Sequence, residues 1–250
     1  MAISVDRVYQ KVLALANKEQ RGYITPQEYN YFADHAQMDI FEQYFYDLDQ
    51  RKRTISGSSS YADISSNIEE KISKFELYDQ VISGFGSYGG VNLTSSFPDL
   101  YRLSMVRVSY QNYEGFCISQ PVQLHDLAKY SKSPLIKNSA KQLGNSYYID
   151  YSNANNDKIL KVYPHPEDGD RVLVSYIKKP TTPHWTYVVS GSNALFNPSS
   201  TSMNHFSLHE SEENNLVIKI LQLAGISIKD YSLVQAANQE EIKQIQQEKQ

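Results

Sequence analysis

Tyr147-Tyr148-Ile149-Asp150-Tyr151, Lys158-Ile159-Leu160-Lys161-Val162-Tyr163-Pro164 and Arg171-Val172-Leu173-Val174-Ser175-Tyr176-Ile177-Lys178-Lys179-Pro180 follow one another within residues 147–187. Each segment is short, rich in β-branched and aromatic residues, and close to alternating in polarity, the pattern of a half-buried strand. The breaks between them carry turn chemistry. Asn153-Ala154-Asn155-Asn156 and Asp168-Gly169 supply residues that tolerate positive φ. Pro164 and Pro180 then end strands, because proline has no amide to donate to a ladder. The reading is a three-stranded antiparallel meander with one face on a core.

Working outward from it, Phe75 to Ser83, Leu100 to Tyr110 and Gly115 to Val122 read as further strands, and Val122 to Lys132 as a short helix. Upstream the period changes. Val5, Val8, Val12, Leu15 and Ala16 recur at helical spacing behind Ser4, a candidate cap. Thr25-Pro26-Gln27-Glu28 is a capping box with proline at the first helical position, opening a helix to about Asp49 whose stripe is largely aromatic. Gln50 to Tyr61 reads as a linker, and Ile64, Ile68 and Ile72 mark a third helix. Downstream, Thr181 to Phe206 reads as a long polar loop carrying Trp185. Ser207-Leu208-His209-Glu210 reads as a second capping box, opening a helix with Leu216, Val217, Ile220, Leu221 and Ala224 on one face and a stop at Gly225. A last helix starts near Asp230.

The expected fold class is therefore α+β, with N- and C-terminal helices forming a helical bundle and a β-rich antiparallel meander between them. The expected domains are residues 1–75, a helical hairpin plus third helix; 76–190, β-rich; 191–210, a polar loop; and 211–250, C-terminal helices packing with the N-terminal ones and with a partner ring.

The 250 residues carry a net charge of −4, so no general basic field exists to hold nucleic acid. Tyrosine occurs 20 times. It covers contact surface at little rotamer cost and keeps a polar tip, which suits protein interfaces; a wet Asn- and Ser-rich surface is the plainer alternative. Cys117 is the single cysteine, so neither a disulfide within the chain nor a cysteine metal site is available. The opening residues lack a basic segment followed by an apolar one, and no apolar run approaches the ~18 residues of a membrane span. A chain kept in a reducing cytoplasm, or in a particle assembled there, is the expectation.

Motifs for chemistry are weak. Gly84-Phe85-Gly86-Ser87-Tyr88-Gly89 matches G-x-G-x-x-G, but Val91 to Pro98 does not read as the helix that would hold phosphates. His205 and His209 stand four apart, yet Ser207 reads as a helix cap between them and no third ligand is fixed by spacing. Asp168-Gly169-Asp170 lacks the remaining positions of a calcium loop. Arg51-Lys52-Arg53 could touch phosphate, but three charges at a helix end favour a solvated terminus. Cys117 reads as a buried inert thiol. No catalytic residue, cofactor or metal is expected.

Several segments together resemble virion proteins of short-tailed phages, including crAss-like phages. They are Gln20-Arg21-Gly22-Tyr23-Ile24-Thr25-Pro26-Gln27-Glu28-Tyr29-Asn30; Val162-Tyr163-Pro164 with Val174 to Pro180, Trp185 and Tyr187; and Leu216 to Ile226 with the Gln/Glu-rich end. The resemblance implies a head-to-tail connector: an adaptor or ring protein under the portal, without catalytic residues. It implies a cyclic homo-oligomer, commonly twelve subunits, in contact with portal protein and adjacent tail or ring proteins. Genomic DNA would pass through the lumen without sequence-specific binding, and no membrane would be involved. The implied location is the head-tail junction of the virion. A tail hub, head-completion or baseplate component is the alternative, and a phage cell-wall hydrolase a further one. Within the final helix, Val234, Ala237, Ile242 and Ile245 form a thin apolar stripe, which reads as a docking element for a partner ring or, more plainly, as a solvated tail.

Overall fold

The computed structural model describes residues 2–18, 24–53, 59–85, 90–111, 115–126, 146–167, 169–191 and 193–227, with Gln239 and Lys243. The chain divides into two compact units. One is Phe75–Lys179, and the other joins Met1–Lys74 to Pro180–Gln250.

The first of these holds seven strands: β1 (Glu76–Ile82), β2 (Gly90–Asn92), β3 (Leu100–Ser109), β4 (Cys117–Pro121), β5 (Ser146–Ser152), β6 (Lys158–Tyr163) and β7 (Arg171–Lys178). They form one sheet in the order β1-β7-β3-β4-β5-β6-β2. β5 and β6 pair antiparallel, from Tyr147 opposite Tyr163 to Ser152 opposite Lys158. Their turn is held by Asn153, whose Oδ1 accepts the N–H of Asn155 and of Asp157, both at 2.9 Å.

The expected three-stranded meander does not form. β7 leaves its sequence neighbour and lies between β1 and β3. The reason is visible in its residues: Val172 to Ile177 are buried without a break, as in a strand covered on both faces. Nor is the sheet wholly antiparallel, because β4 and β5 run parallel, with Ser119 beside Ser146.

One face of the sheet carries a continuous core of Val106, Val108, Cys117, Leu160, Val162 and Val174 among others. A one-turn helix, α4 (Leu93–Ser96), buries Leu93 and is capped by Asn92. The two edges of the sheet are blunted in different ways. β2 is only three residues long. β1 is interrupted between Leu77 and Gln80, where Asp79 adopts φ 53 and pairs its carboxylate with Arg107. A bulge with a charge on an edge strand discourages pairing with another chain.

The second unit contains α1 (Val5–Lys18), α2 (Pro26–Arg53), α3 (Ser59–Ser73) and α5 (Glu213–Ser227), the last entered through a 3-10 turn at Glu210–Glu212. The capping box of α2 is formed as its residues require. The Glu28 N–H donates to Thr25 Oγ1 at 3.3 Å, and the Thr25 N–H donates to Glu28 Oε2 at 3.0 Å. α5 packs on α1 and α2, and α3 on α2. Glu213 Oε1, in the first turn of α5, takes Arg7 Nε at 2.9 Å and Lys11 Nζ at 2.6 Å from α1. Leu216, Val217, Ile220, Leu221 and Ala224 are buried on one face of α5. That helix runs through Gly225 rather than stopping there.

These helices do not make a bundle of their own around a β-rich middle. The fold is mixed α/β: a large curled seven-stranded sheet, resembling half a barrel, with five helices among the described residues. The helical unit is itself threaded by extended chain. Ile3 bridges Phe206, His184 bridges Asn204, and a two-stranded hairpin of β8 (Tyr187–Ser190) and β9 (Asn193–Phe196) belongs to it. The segment expected to be a polar loop thus supplies a hairpin, and with Trp185 and Phe206 it supplies core. Of the helix expected at Val122 to Lys132, the described part, residues 122–126, is a turn and its approach.

Candidate interaction surfaces

The hairpin grows from a fixed root. Trp185 is buried against Tyr9, with ring centroids 4.5 Å apart, and Tyr9 packs on Tyr29 at 4.6 Å. The indole N–H donates to Asp6 at 2.9 Å, and the Trp185 N–H donates to Asn30 Oδ1 at 2.8 Å. Burial, with the charge of Asp6 second, pushes the Tyr29 phenol well above its ordinary range, so it stays a donor to the Val5 carbonyl at 2.9 Å. Above the root, Thr186 and Asn197 close the ladder: the Asn197 N–H donates to the Thr186 carbonyl at 2.9 Å, and the Thr186 hydroxyl donates to the Asn197 carbonyl at 2.6 Å. Tyr187 and Phe196 each stack on Trp185 at 5.8 Å.

Beyond that stack the strands lose their cover. Tyr187 is 42% exposed, Val188 55%, Val189 66% and Leu195 56%. Val188 and Leu195 are cross-strand partners on one face; Val189 lies on the other, opposite Ala194. Both faces therefore present apolar side chains to solvent. No Asp, Glu, Lys or Arg occurs from Pro180 to His209 in a chain of which 21% is charged. The register is regular for all four pairs, and Gly191 takes the turn at φ 65. The signal was present in the residues: Tyr187-Val188-Val189 and Ala194-Leu195-Phe196 stand on either side of Gly191.

A second apolar surface lies on the seven-stranded sheet, opposite its core face. Val81, Leu173, Arg107 and Ile118 stand in one row across β1, β7, β3 and β4. Val81 and Ile118 are exposed, as is Phe116, whose ring lies 5.3 Å from the Arg107 guanidinium. Asp79 and Phe116 together occupy that cation, so the row presents little free charge.

The residues singled out for chemistry do not converge. His205 Nδ1 accepts the Val5 N–H at 3.3 Å, at the start of α1. His209 Nδ1 accepts the Ser211 N–H at 3.3 Å and caps the 3-10 turn, the place expected for Ser207. Ser207 instead donates its own N–H to Gln37 at 2.9 Å. The two imidazoles thus serve separate helix starts. Among the described residues, no three His, Cys, Asp or Glu side chains gather as a metal site would need. Asp170 accepts N–H groups of Gln111 and Glu167 at 2.9 and 2.8 Å, a turn role. Cys117 is buried in the sheet core, and burial pushes its thiol up. In the glycine run Gly84 has φ 85; residues 86–89 lie outside the described residues, and β2 follows them. Val234, Ala237, Ile242 and Ile245 also lie outside the described residues. Among the described residues no helix is long and apolar enough to cross a membrane. No family model matches the chain, and no curated protein matches its sequence.

Proposed function

We propose that this protein is a non-enzymatic structural subunit of a virion, closing into a ring in the head-to-tail connector of a short-tailed phage. In that role it joins the portal to the tail and leaves a channel for DNA. The observation that carries the ring is the pair of dissimilar apolar surfaces, the uncharged hairpin on one unit and the Val81–Ile118 row with Phe116 on the other. Exposed apolar patches of this kind mark association sites. A subunit with two unlike contact surfaces assembles head to tail, and such contacts give a ring where the rotation between copies closes. The resemblance of the Gln20 to Asn30 segment, of Val162 to Pro164 with Val174 to Pro180, Trp185 and Tyr187, and of Leu216 to Ile226 supplies the particle. The net charge of −4 suits a channel that DNA must leave, since each basic contact to phosphate adds affinity.

The test has two parts. Light scattering on the purified protein, alone and with portal, should give the mass of a closed ring in at least one of the two conditions. Electron microscopy of particles carrying a tagged copy should place the tag at the head-tail junction. A tag at the distal tail or absent from particles, or a monomer under both conditions, would reject the proposal. Cleavage of cell-wall glycan by the pure protein would favour the hydrolase.

A further inference from the structure

We infer that the β8–β9 hairpin pairs edge to edge with the same hairpin of a neighbouring copy, β8 of one chain against β9 of the next. This deepens the ring reading above by making the two edges of the hairpin, rather than the hairpin and the Val81–Ile118 row, the two unlike contact surfaces, and it rests on that reading for closure. Four observations meet here. First, β8 and β9 pair only with each other among the described residues, so each keeps one unpaired edge. Hydrogen-bonded and open pairs alternate along an antiparallel ladder. The Asn197 N–H bonds the Thr186 carbonyl, so 186/197, 188/195 and 190/193 are the bonded pairs. The backbone groups of Tyr187 and Val189 on β8, and of Ala194 and Phe196 on β9, therefore point outward.

Second, these edges lack most of the devices that protect the edges of the seven-stranded sheet. They have no bulge, no proline and no charge, unlike β1 with Asp79 at its bulge; at four residues each they are short, one residue longer than β2. Third, the absence of any charge from Pro180 to His209 makes the surface compatible with itself. Two copies of a charged strand would set like charges opposite one another; two copies of this one do not. Fourth, Val188, Val189 and Leu195 lie on both faces and both strands. A two-fold pairing of β8 with β8 would leave every β9 edge bare. Only the head-to-tail order, closed in a ring, leaves none. Ser190, Gly191 and Asn193 bring no apolar residue to the end of the hairpin, which argues for flanks packed between protein surfaces rather than entry tip-first into lipid.

Val189→Pro and Ala194→Pro each remove one outward N–H and spare the bonded pairs within the hairpin. Native mass spectrometry and light scattering on wild type, each variant and their mixture read the result. Trp185 fluorescence confirms that the unit holding the hairpin stays folded, and Val189→Lys with Ala194→Lys serve as a second pair if it does not. The expected outcome is an assembling wild type, two variants that are each monomeric, and a one-to-one heterodimer on mixing. Both variants assembling as wild type does would overturn the hairpin contact while leaving the ring intact. An Ala194→Pro dimer beside a Val189→Pro monomer would replace it with the two-fold arrangement. A monomeric wild type, alone and with portal, would overturn the inference together with the ring. Co-sedimentation of such a monomer with phosphatidylcholine vesicles would assign the hairpin to lipid.

Discussion

Asn30 holds Trp185 by both of its backbone groups. Its Oδ1 accepts the Trp185 N–H at 2.8 Å, and its Nδ2 donates to the Trp185 carbonyl at 3.1 Å. One carboxamide on α2 thus does for an irregular segment what a strand neighbour would do, satisfying a donor and an acceptor at a buried residue. Asn30→Asp keeps the acceptor but sets a carboxylate against the carbonyl, and Asn30→Ala leaves both groups bare. Either variant should lose about 1–3 kcal/mol in urea unfolding. Trp185 is the only tryptophan, so its fluorescence follows this unit directly. An unchanged midpoint in both variants would show that water replaces the carboxamide.

Glu212 provides a second test of buried polarity. It is 2% exposed, with Oε1 at 2.6 Å from Lys71 Nζ on α3 and Oε2 accepting from Asn215 at 2.6 Å. Removing one partner of a buried pair leaves a charge without compensation, which costs about 3–5 kcal/mol. Lys71→Met should therefore be strongly destabilising, and adding Glu212→Gln should recover much of the loss by removing the charge. Denaturant midpoints for the two single variants and the double variant give the coupling. A double variant as unstable as Lys71→Met alone would assign the cost to other contacts of the lysine, whose ammonium also lies over the Tyr44 ring at 5.7 Å.

How far the residues disclosed this structure depends on whether local signals decided the outcome. Thr25 and Glu28 define a helix start by their own hydrogen bonds, and the start is where the capping box puts it. Ile68 and Ile72, and the Leu216–Ala224 face, repeat at helical spacing and are buried. The failures are non-local. β7 follows β6 in sequence, and adjacency favoured pairing them. The unbroken burial of Val172 to Ile177 instead drew it to the middle of the sheet, a choice settled by partners more than sixty residues away in β3 and nearly a hundred away in β1. In 181–206 abundant Ser, Thr and Asn masked the hairpin, because polar composition outweighed six apolar strand residues on either side of Gly191. The exchange of Ser207 for His209 as the cap has a similar origin. The Ser207 hydroxyl, which a cap would use, is taken by Thr181, whose N–H donates to it at 3.3 Å and whose own hydroxyl lies 2.7 Å away. The candidate interaction surfaces share this limit: Ile118 and Val81 read as ordinary strand residues until the register sets them at the two exposed ends of one row, with buried Leu173 and half-buried Arg107 between them.

The capping box also predicts an acid response. The Glu28 carboxyl is held below its ordinary range, chiefly by the Thr25 hydroxyl and then by the Thr25 N–H. A carboxylate whose folded value is depressed adds stability that is present above its unfolded value near 4.3 and lost as pH falls through the folded one. Between pH 7 and pH 5 the contribution should be constant; it should fade only below about pH 4.5. Thr25→Ala should cost about 0.5–2 kcal/mol at pH 7. The difference between wild type and Glu28→Gln should shrink as pH drops toward 3. Parallel unfolding curves at pH 7 and pH 3 would settle it, and an equal difference at both would remove Glu28 from the response.

At the alkaline end the informative pair is Tyr176 and Asp99. The Tyr176 hydroxyl donates to Asp99 Oδ1 at 2.9 Å, within the sheet unit. Burial first, then that hydrogen bond and the carboxylate charge, push the phenol up to about 12. The neutral phenol is the form the fold retains. Its contribution is complete below the unfolded value near 10 and is lost as pH rises from there through about 12. Ultraviolet titration of the folded proteins should therefore show as many tyrosines ionising near pH 10 in wild type as in Tyr176→Leu, although wild type has one ring more. Tyr176→Phe keeps the ring against Phe97, whose centroid is 4.8 Å away, and removes only the donor. It should cost about 1–2 kcal/mol at pH 7, and the cost should diminish above pH 10, where the unfolded chain of wild type ionises this phenol while the folded one keeps it neutral up to about 12. A cost that persists unchanged at pH 11 would mean that Asp99 draws no stability from this hydroxyl.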